Sequence, residues 1–178
     1  MDFIYKEEAI SKTDCENLIN YFEENINLAK KGSAGVKNLN NLEINIKLNK
    51  PSDFNNLGKA LDNALLNYVK NFPLFKKLHP FRLYRSFQLC RFLPGNHYST
   101  IHCENDGNSK YLNRVLAWMV YLNDIKNGGG TEFIHQNITL TPKAGNLYIW
   151  PAGPTHMHKG VVALNEKKYF LTGWYVFS

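Results

Sequence analysis

From residue 81 onward the chain breaks into short pieces of one kind. "FRLYRSFQLCRFL", "RVLAWMVYLND", "TEFIH", "NITLTP", "GNLYIW", "HMHKGVVAL" and "KKYFLTGWYVF" are rich in β-branched and aromatic residues, and "PGN", "NGGG", "PKAG" and "PAGP" divide them as turns. Runs of this length bounded by Gly, Pro and Asn read as strands. Seven or more of them in succession predict two packed sheets, a β-sandwich of the jelly-roll kind.

The first eighty residues read differently. In "SKTDCENLINYFEENINLAKKG" the apolar residues Leu18, Ile19, Phe22, Ile26 and Ala29 recur at helical spacing, Thr13 and Glu16 offer a capping box, and Gly32 follows as a stop. An Asn- and Gly-rich stretch then leads into a short strand in which Ile44, Ile46 and Leu48 alternate. "SDFNNLGKALDNALLNYVKNF" is a second helix, with Leu57, Ala60, Leu61, Ala64, Leu65 and Tyr68 on one broad face. The class is therefore α+β, mainly β, with N-terminal helices buttressing one face of the sheets. No repeat, linker or low-complexity tract interrupts the chain. It reads as a single domain over 1–178, with helical support in 1–80 and the β core in 81–178.

Composition narrows the setting. A chain of 178 residues with 44% hydrophobic and 13% aromatic residues can bury a substantial core, and disorder is excluded. Three cysteines, with no C-x-x-C, argue against a disulfide framework or zinc knuckle and for a reducing compartment. "MDFIYKEEAI" lacks the basic region and apolar run of a signal peptide, and no stretch approaches the ~20 apolar residues of a membrane span. The expected setting is cytoplasmic, without membrane attachment. Heavy use of Asn, Lys and Ile hints at an AT-rich genome, that of a bacterium or of a virus in its host cell. A net charge of +6 suits acidic small molecules, nucleic acid or an ordinary solvated surface.

Within the β-rich half, "STIHCEN" places His102 and Glu104 two positions apart. On a strand such a pair points to one face, with Cα atoms roughly 6.5–7 Å apart, close enough to share a metal ion. Further histidines follow in "THMHKG", and a mononuclear Fe(II) site asks for two imidazoles and one carboxylate. His156 and His158, two apart, would face the same way. Ten residues after His158, Lys168 stands in an otherwise apolar run, where a buried cation needs an acidic partner. "RVLAWMVYLND" sets Arg114 and Tyr121 on one strand ahead of a glycine-rich turn.

Together these segments resemble the 2-oxoglutarate/Fe(II)-dependent oxygenases, in their prolyl 4-hydroxylase-like branch. "FLPGNHYSTIHCE" is similar to that family's Y-x-x-G-x-x-Y-x-x-H-x-D segment, "RVLAWMVYLND" to R-x-x-[TS]-x-x-x-YLN, and "GGGTEF" to GG-x-T-x-F. "TPKAGNLYIWPAG" resembles P-x-x-G-x-[AL]-x-x-[FW], and "HKGVVALNEKKYFLTGW" resembles H-x-G-x-x-V…K-Y…W. Their order and spacing over roughly residues 84–177 make the match specific. The resemblance implies a double-stranded β-helix (jelly roll) with His102, Glu104 and His158 as iron ligands. It favours His158 over His156, because His158 precedes x-Gly and stands ten residues before Lys168. It gives Lys168 the distal carboxylate of 2-oxoglutarate, with Tyr121 hydrogen-bonded to the same group, and sets Arg114, Tyr98 and Trp174 around the pocket. Implied cofactors and co-substrates are Fe(II), 2-oxoglutarate and O₂, with ascorbate as an auxiliary reductant. The implied reaction hydroxylates an amino-acid side chain, proline by default, while 2-oxoglutarate becomes succinate and CO₂; a peptide or amino acid is the expected substrate.

One departure stands out: Glu104 replaces the family's usual aspartate. The retained carboxylate predicts that iron still binds. Two other functions fit less well. A nucleic-acid oxygenase would place arginines late in its motif, whereas none follows Arg114. A cupin-type metal protein would carry His-x-His in its first motif and would leave Lys168 unexplained. Cys103 is expected to fill core, Asp106 to lie off the metal face, and Trp118 and Trp150 to pack the sandwich. His79, His97 and His135 are expected at the surface, and His156 near the ligands or the substrate. Loops 32–42 and 105–113 are expected to form lids that set specificity.

Overall fold

The computed structural model describes residues 2–31, 41–48 and 54–178. Among these, the chain forms β1 (Tyr5–Glu8), α1 (Lys12–Glu24), β2 (Lys30–Lys31), β3 (Asn41–Lys47), α2 (Asn55–Asn71), β4 (Phe81–Leu83) and β5 (Ser86–Phe92). It continues with β6 (Arg114–Tyr121), β7 (Thr131–Phe133), β8 (Ile138–Leu140), β9 (Asn146–Pro151), β10 (His158–Gly160) and β11 (Lys168–Phe177). Each of the seven β-rich runs named above contains at least one strand.

The larger sheet is ordered β1-β9-β6-β11-β5-β3-β2, with β4 beside the end of β11, and a smaller sheet is ordered β10-β7-β8. Their pairings are antiparallel, so strands that alternate apolar residues can carry different chemistry on each face. One face of the larger sheet meets the helices: Ile44, Ile46, Phe87, Leu89, Trp118, Leu147 and Leu171 pack with Phe22 of α1 and with Leu57, Leu61 and Tyr68 of α2. The other face meets the small sheet through Phe92, Ala117, Tyr121, Tyr148, Trp150 and Phe170 against Phe133 and Leu140. This is the jelly roll, buttressed on its outer side.

Three local features differ from expectation. The capping box of α1 is Ser11–Asp14: the Ser11 hydroxyl accepts from the Asp14 N–H at 3.1 Å, and the Asp14 carboxylate accepts from the Ser11 N–H at 3.3 Å. Starting the helix there turns Cys15, Leu18 and Phe22 inward, and it ends at Glu24, so that Ile26 lies in a short 3₁₀ turn, 40% exposed. The second difference is β1, which pairs with β9 through Tyr5↔Ile149. "YKEE" holds one aromatic among three charges, too weak an alternation to announce a strand. The third is that the expected strand at "STIHCEN" is a single bridge rather than a strand. Gly32 and residues 32–40 of the first expected lid lie outside the described residues. No helix among the described residues is long and apolar enough to cross a membrane.

Candidate metal centre

The segment around His102 is pinned rather than woven into a sheet. His102 N–H donates to His158 O at 2.9 Å and His158 N–H donates to His102 O at 2.8 Å, while the N–H groups of Glu104 and Asn105 both donate to Ala152 O at 3.0 and 2.9 Å. Gly160 makes this approach possible. Its N–H donates to Tyr98 O at 2.7 Å, and a Cβ there would stand 3.1 Å from Tyr98 N. A larger residue would press on the Tyr98 backbone, which would have to shift away from β10.

The donor atoms of His102, Glu104 and His158 lie within 4.8 Å of one another. Glu104 Oε1 is 3.5 Å from His102 Nε2 and 3.6 Å from His158 Nε2. A metal about 2.1 Å from each of three cis donors would set them about 3 Å apart, so a small inward movement closes the shell. The imidazoles are already oriented. His102 Nδ1 meets Thr100 O at 3.0 Å and His158 Nδ1 meets His156 O at 2.9 Å. A carbonyl can only accept, so Nδ1 carries the hydrogen and Nε2 keeps its lone pair for a metal. Two neutral imidazoles and one carboxylate suit Fe(II) and leave coordination positions open. Burial opposes ionisation of Glu104, yet before a metal binds, hydrogen bonds from protonated His102 and His158 outweigh it and hold the carboxyl far below the usual range; a metal would take the place of those Nε2 protons.

The second oxygen of Glu104 is gripped from behind. Trp174 Nε1–H donates to Oε2 at 2.7 Å, and Arg114 Nη1 donates to Oε2 at 3.2 Å and to the Glu104 carbonyl at 3.0 Å. The guanidinium is itself stacked, 4.0 Å from the Tyr111 ring centroid and 3.6 Å from that of Trp174. The longer glutamate thus reaches Oε1 toward the histidines while Oε2 stays tethered. Around the imidazoles, Tyr98 lies 4.4 Å from His102 by ring centroid, and Phe133 and Trp150 each 5.3 Å from His158.

Lys168 opens β11 on the face that meets the small sheet. It is 4% exposed, and no carboxylate among the described residues makes an ion pair with it. Its ammonium lies 4.9 Å from the Phe170 ring centroid, 5.1 Å from Tyr121 and 5.9 Å from Phe92. Burial brings its pKa down to about 7. Tyr121 is also buried, its hydroxyl 2.9 Å from Thr131 Oγ1, and desolvation pushes its pKa far up. A buried cation among aromatic rings, one of them the tyrosine whose hydroxyl pairs with Thr131, is chemistry suited to one end of a small dicarboxylate.

His156 stands apart from the metal donors. It occupies a 3₁₀ turn, where i and i+2 do not share a face, and its Nε2 donates to Asp2 O at 2.7 Å while Thr155 Oγ1 sits on Nδ1 at 2.9 Å. It braces the turn before His158, and its carbonyl is the group that His158 Nδ1 meets at 2.9 Å. Cys103 is half-buried, its thiol donating to Asn105 O at 3.3 Å, so it does not fill core as expected. Asp106, His79 and His135 are exposed, and Trp118 and Trp150 pack the two cores. Sequence reasoning missed the role of Thr131, although the T of "GGGTEF" was its signal, and the stacking of Tyr111 on Arg114.

A jelly roll holding two histidines and a carboxylate between its sheets is the architecture of a mononuclear non-haem iron enzyme. The profile of the family described as the 2OG-Fe(II) oxygenase superfamily matches residues 87–176. The chain belongs to that superfamily, whose members use Fe(II), 2-oxoglutarate and O₂. Among solved structures, the viral collagen prolyl hydroxylase of Paramecium Bursaria Chlorella virus-1 in complex with 2-oxoglutarate is similar, at 16% identity and TM-score 0.74 over 99% of this chain and 97% of that one. A prolyl-4-hydroxylase of Pseudomonas putida is similar at 16% identity and TM-score 0.76, over 100% and 94%. A Trichoplax adhaerens prolyl hydroxylase in complex with a hypoxia inducible factor peptide fragment is similar at 14% identity and TM-score 0.74, over 99% and 84%. No curated protein sequence matches the chain.

Proposed function

We propose that this oxygenase hydroxylates a prolyl side chain in a peptide, with His102, Glu104 and His158 as the iron ligands. The observation that carries the reading is the pairing, between the same two sheets, of a two-histidine, one-carboxylate cluster with a buried lysine that makes no ion pair among the described residues. Lys168 and Tyr121 would hold the distal carboxylate of 2-oxoglutarate, and Arg114 and Trp174 would fix Glu104. Tyr98 and Trp150 would wall the imidazoles from water. Bound at this cluster, Fe(II) supplies the redox chemistry: one oxygen atom of O₂ enters the substrate C–H bond and the other ends in succinate as CO₂ leaves. Ascorbate would serve only to restore oxidised iron. The prolyl substrate rests on the likeness to the viral, bacterial and Trichoplax enzymes, one of them holding a peptide. Support for a single domain over 1–178 comes from β1 and β3, which pair with β9 and β5.

The test begins anaerobically, adding Fe(II) and then 2-oxoglutarate to the purified protein and watching for the visible charge-transfer band of a chelated 2-oxoacid. The band should require both Glu104 and Lys168, and vanish in Glu104→Ala and Lys168→Ala. Proline-containing peptides are then screened for the mass gain of one oxygen. A full band with no hydroxylated peptide would refute the prolyl substrate while leaving the cofactor assignment standing.

A further inference from the structure

On its inter-sheet face the larger sheet changes character toward the β3 edge. The face is defined by neighbours: Phe92 and Cys90 of β5 and Phe170 of β11 lie between the sheets, whereas Phe87 and Leu89 of β5 and Ile44 and Ile46 of β3 lie under the helices. By alternation Gln88, Glu43, Asn45, Thr172 and Trp174 share the inter-sheet face. The register aligns them. Asn45 stands opposite Gln88, Gln88 opposite Thr172, and Thr172 opposite Met119; one step along, Glu43 stands opposite Cys90 and Cys90 opposite Phe170. Two residues beyond Thr172, Trp174 holds Glu104. A row of amides and a hydroxyl therefore runs from the metal centre outward, beside a face otherwise packed mainly with Phe92, Tyr121, Tyr148, Trp150 and Phe170.

We propose that this row is the track for the polypeptide substrate, and that Glu43 selects a substrate with a basic side chain near the residue to be hydroxylated. The inference rests on the peptide reading given above. Gln88 is a half-buried and Asn45 an exposed amide that can both donate and accept, and Thr172, whose hydroxyl donates to Trp118 O at 3.0 Å, can still accept, which suits an extended peptide whose own backbone groups lack partners. Glu43 is the carboxylate among them. It is half-buried, Gln88 is its hydrogen-bonding neighbour, and Lys30, opposite it on β2, makes no ion pair with it. Burial raises its pKa, and among the described residues no cation makes an ion pair with it. A lysine or arginine of the substrate would supply that counter-ion. Because β3 lies two strand spacings from β11, roughly 10 Å, the basic residue should sit roughly three to five residues from the reacting one.

The experiment uses the whole protein with Fe(II) and 2-oxoglutarate and a set of proline peptides. A single lysine is moved through five positions on each side of the proline, and matched peptides carry glutamate instead. kcat/KM is read from oxygen incorporation for the wild type, Glu43→Gln and Glu43→Lys. The expected result is a preference for lysine of at least about tenfold at one or two positions, lost in Glu43→Gln and turned toward glutamate in Glu43→Lys. A misfolded variant cannot produce that reversal. Hydroxylation of lysine and glutamate peptides at rates within threefold would overturn the selection and leave the prolyl reading intact. Turnover of 2-oxoglutarate with no peptide hydroxylated would overturn the peptide reading, and the track with it.

Discussion

Trp174 and Glu104, seventy residues apart in the chain, are joined by a 2.7 Å hydrogen bond from the indole to the carboxylate oxygen that faces away from the histidines. Partners of this kind set the position and basicity of a metal ligand, and losing one typically costs ten- to a hundredfold in metal affinity. Trp174→Phe keeps an aromatic ring beside Arg114 and removes the N–H together with part of the indole. It should weaken Fe(II) binding by about that factor, measured by anaerobic titration of the melting temperature.

Glu104→Asp tests whether the glutamate belongs with its surroundings. Aspartate withdraws the carboxylate by about 1.5 Å, one C–C bond, and cannot both reach the histidines and stay on Trp174 and Arg114. Although aspartate is the commoner residue in related motifs, the change should lower Fe(II) affinity here by about tenfold or more. Tighter binding by the aspartate variant would show that Arg114 and Trp174 do not hold the ligand.

Lys168 predicts a pH dependence with a definite sign. Its pKa near 7 means that the ammonium is progressively lost above neutrality in the free protein, while a bound carboxylate requires it. Binding must then take up a proton, so 2-oxoglutarate affinity should be flat below about pH 7 and fall about tenfold per unit above it. Calorimetry between pH 6 and 8.5 reads this limb, which Lys168→Arg should abolish. Lys168→Ala should raise the 2-oxoglutarate requirement at least about a hundredfold. A change under about fivefold would remove the residue from the site.

Gly173 offers a prediction about stability alone. A Cβ there would lie 2.6 Å from Cζ2 and 2.8 Å from Cε2 of Trp118, which is fully buried. Overpacking of this kind costs about 1–3 kcal/mol. Gly173→Ala should therefore lower Tm by roughly 2 to 12 °C.

Much of this site is legible in the chain because its signals are local. His102, Glu104 and His158 fall in short motifs, and the apolar run around Lys168 announces its burial. The strand assumed at "STIHCEN" is absent, yet the two side chains converge, because one bridge to His158 and two hydrogen bonds to Ala152 suffice. Contacts between distant segments left no such trace. The His156–Asp2 bond spans 154 positions, and β1 is a strand only because β9 offers it an edge. Trp174 reads as a pocket residue, and only packing reveals that its N–H serves Glu104.

The place of β11 carries a further consequence. It lies between β5 and β6 at the middle of the larger sheet, but follows every other strand in chain order. During synthesis β5 and β6 must wait with bare edges, an interval in which such strands are open to misassociation. Lys168 and Trp174 arrive together on that same strand. A nascent chain thus carries His102, Glu104 and His158 before it has either the indole that holds Glu104 or the lysine proposed to anchor a dicarboxylate, and the proposed reaction would have to wait until the sheet is closed.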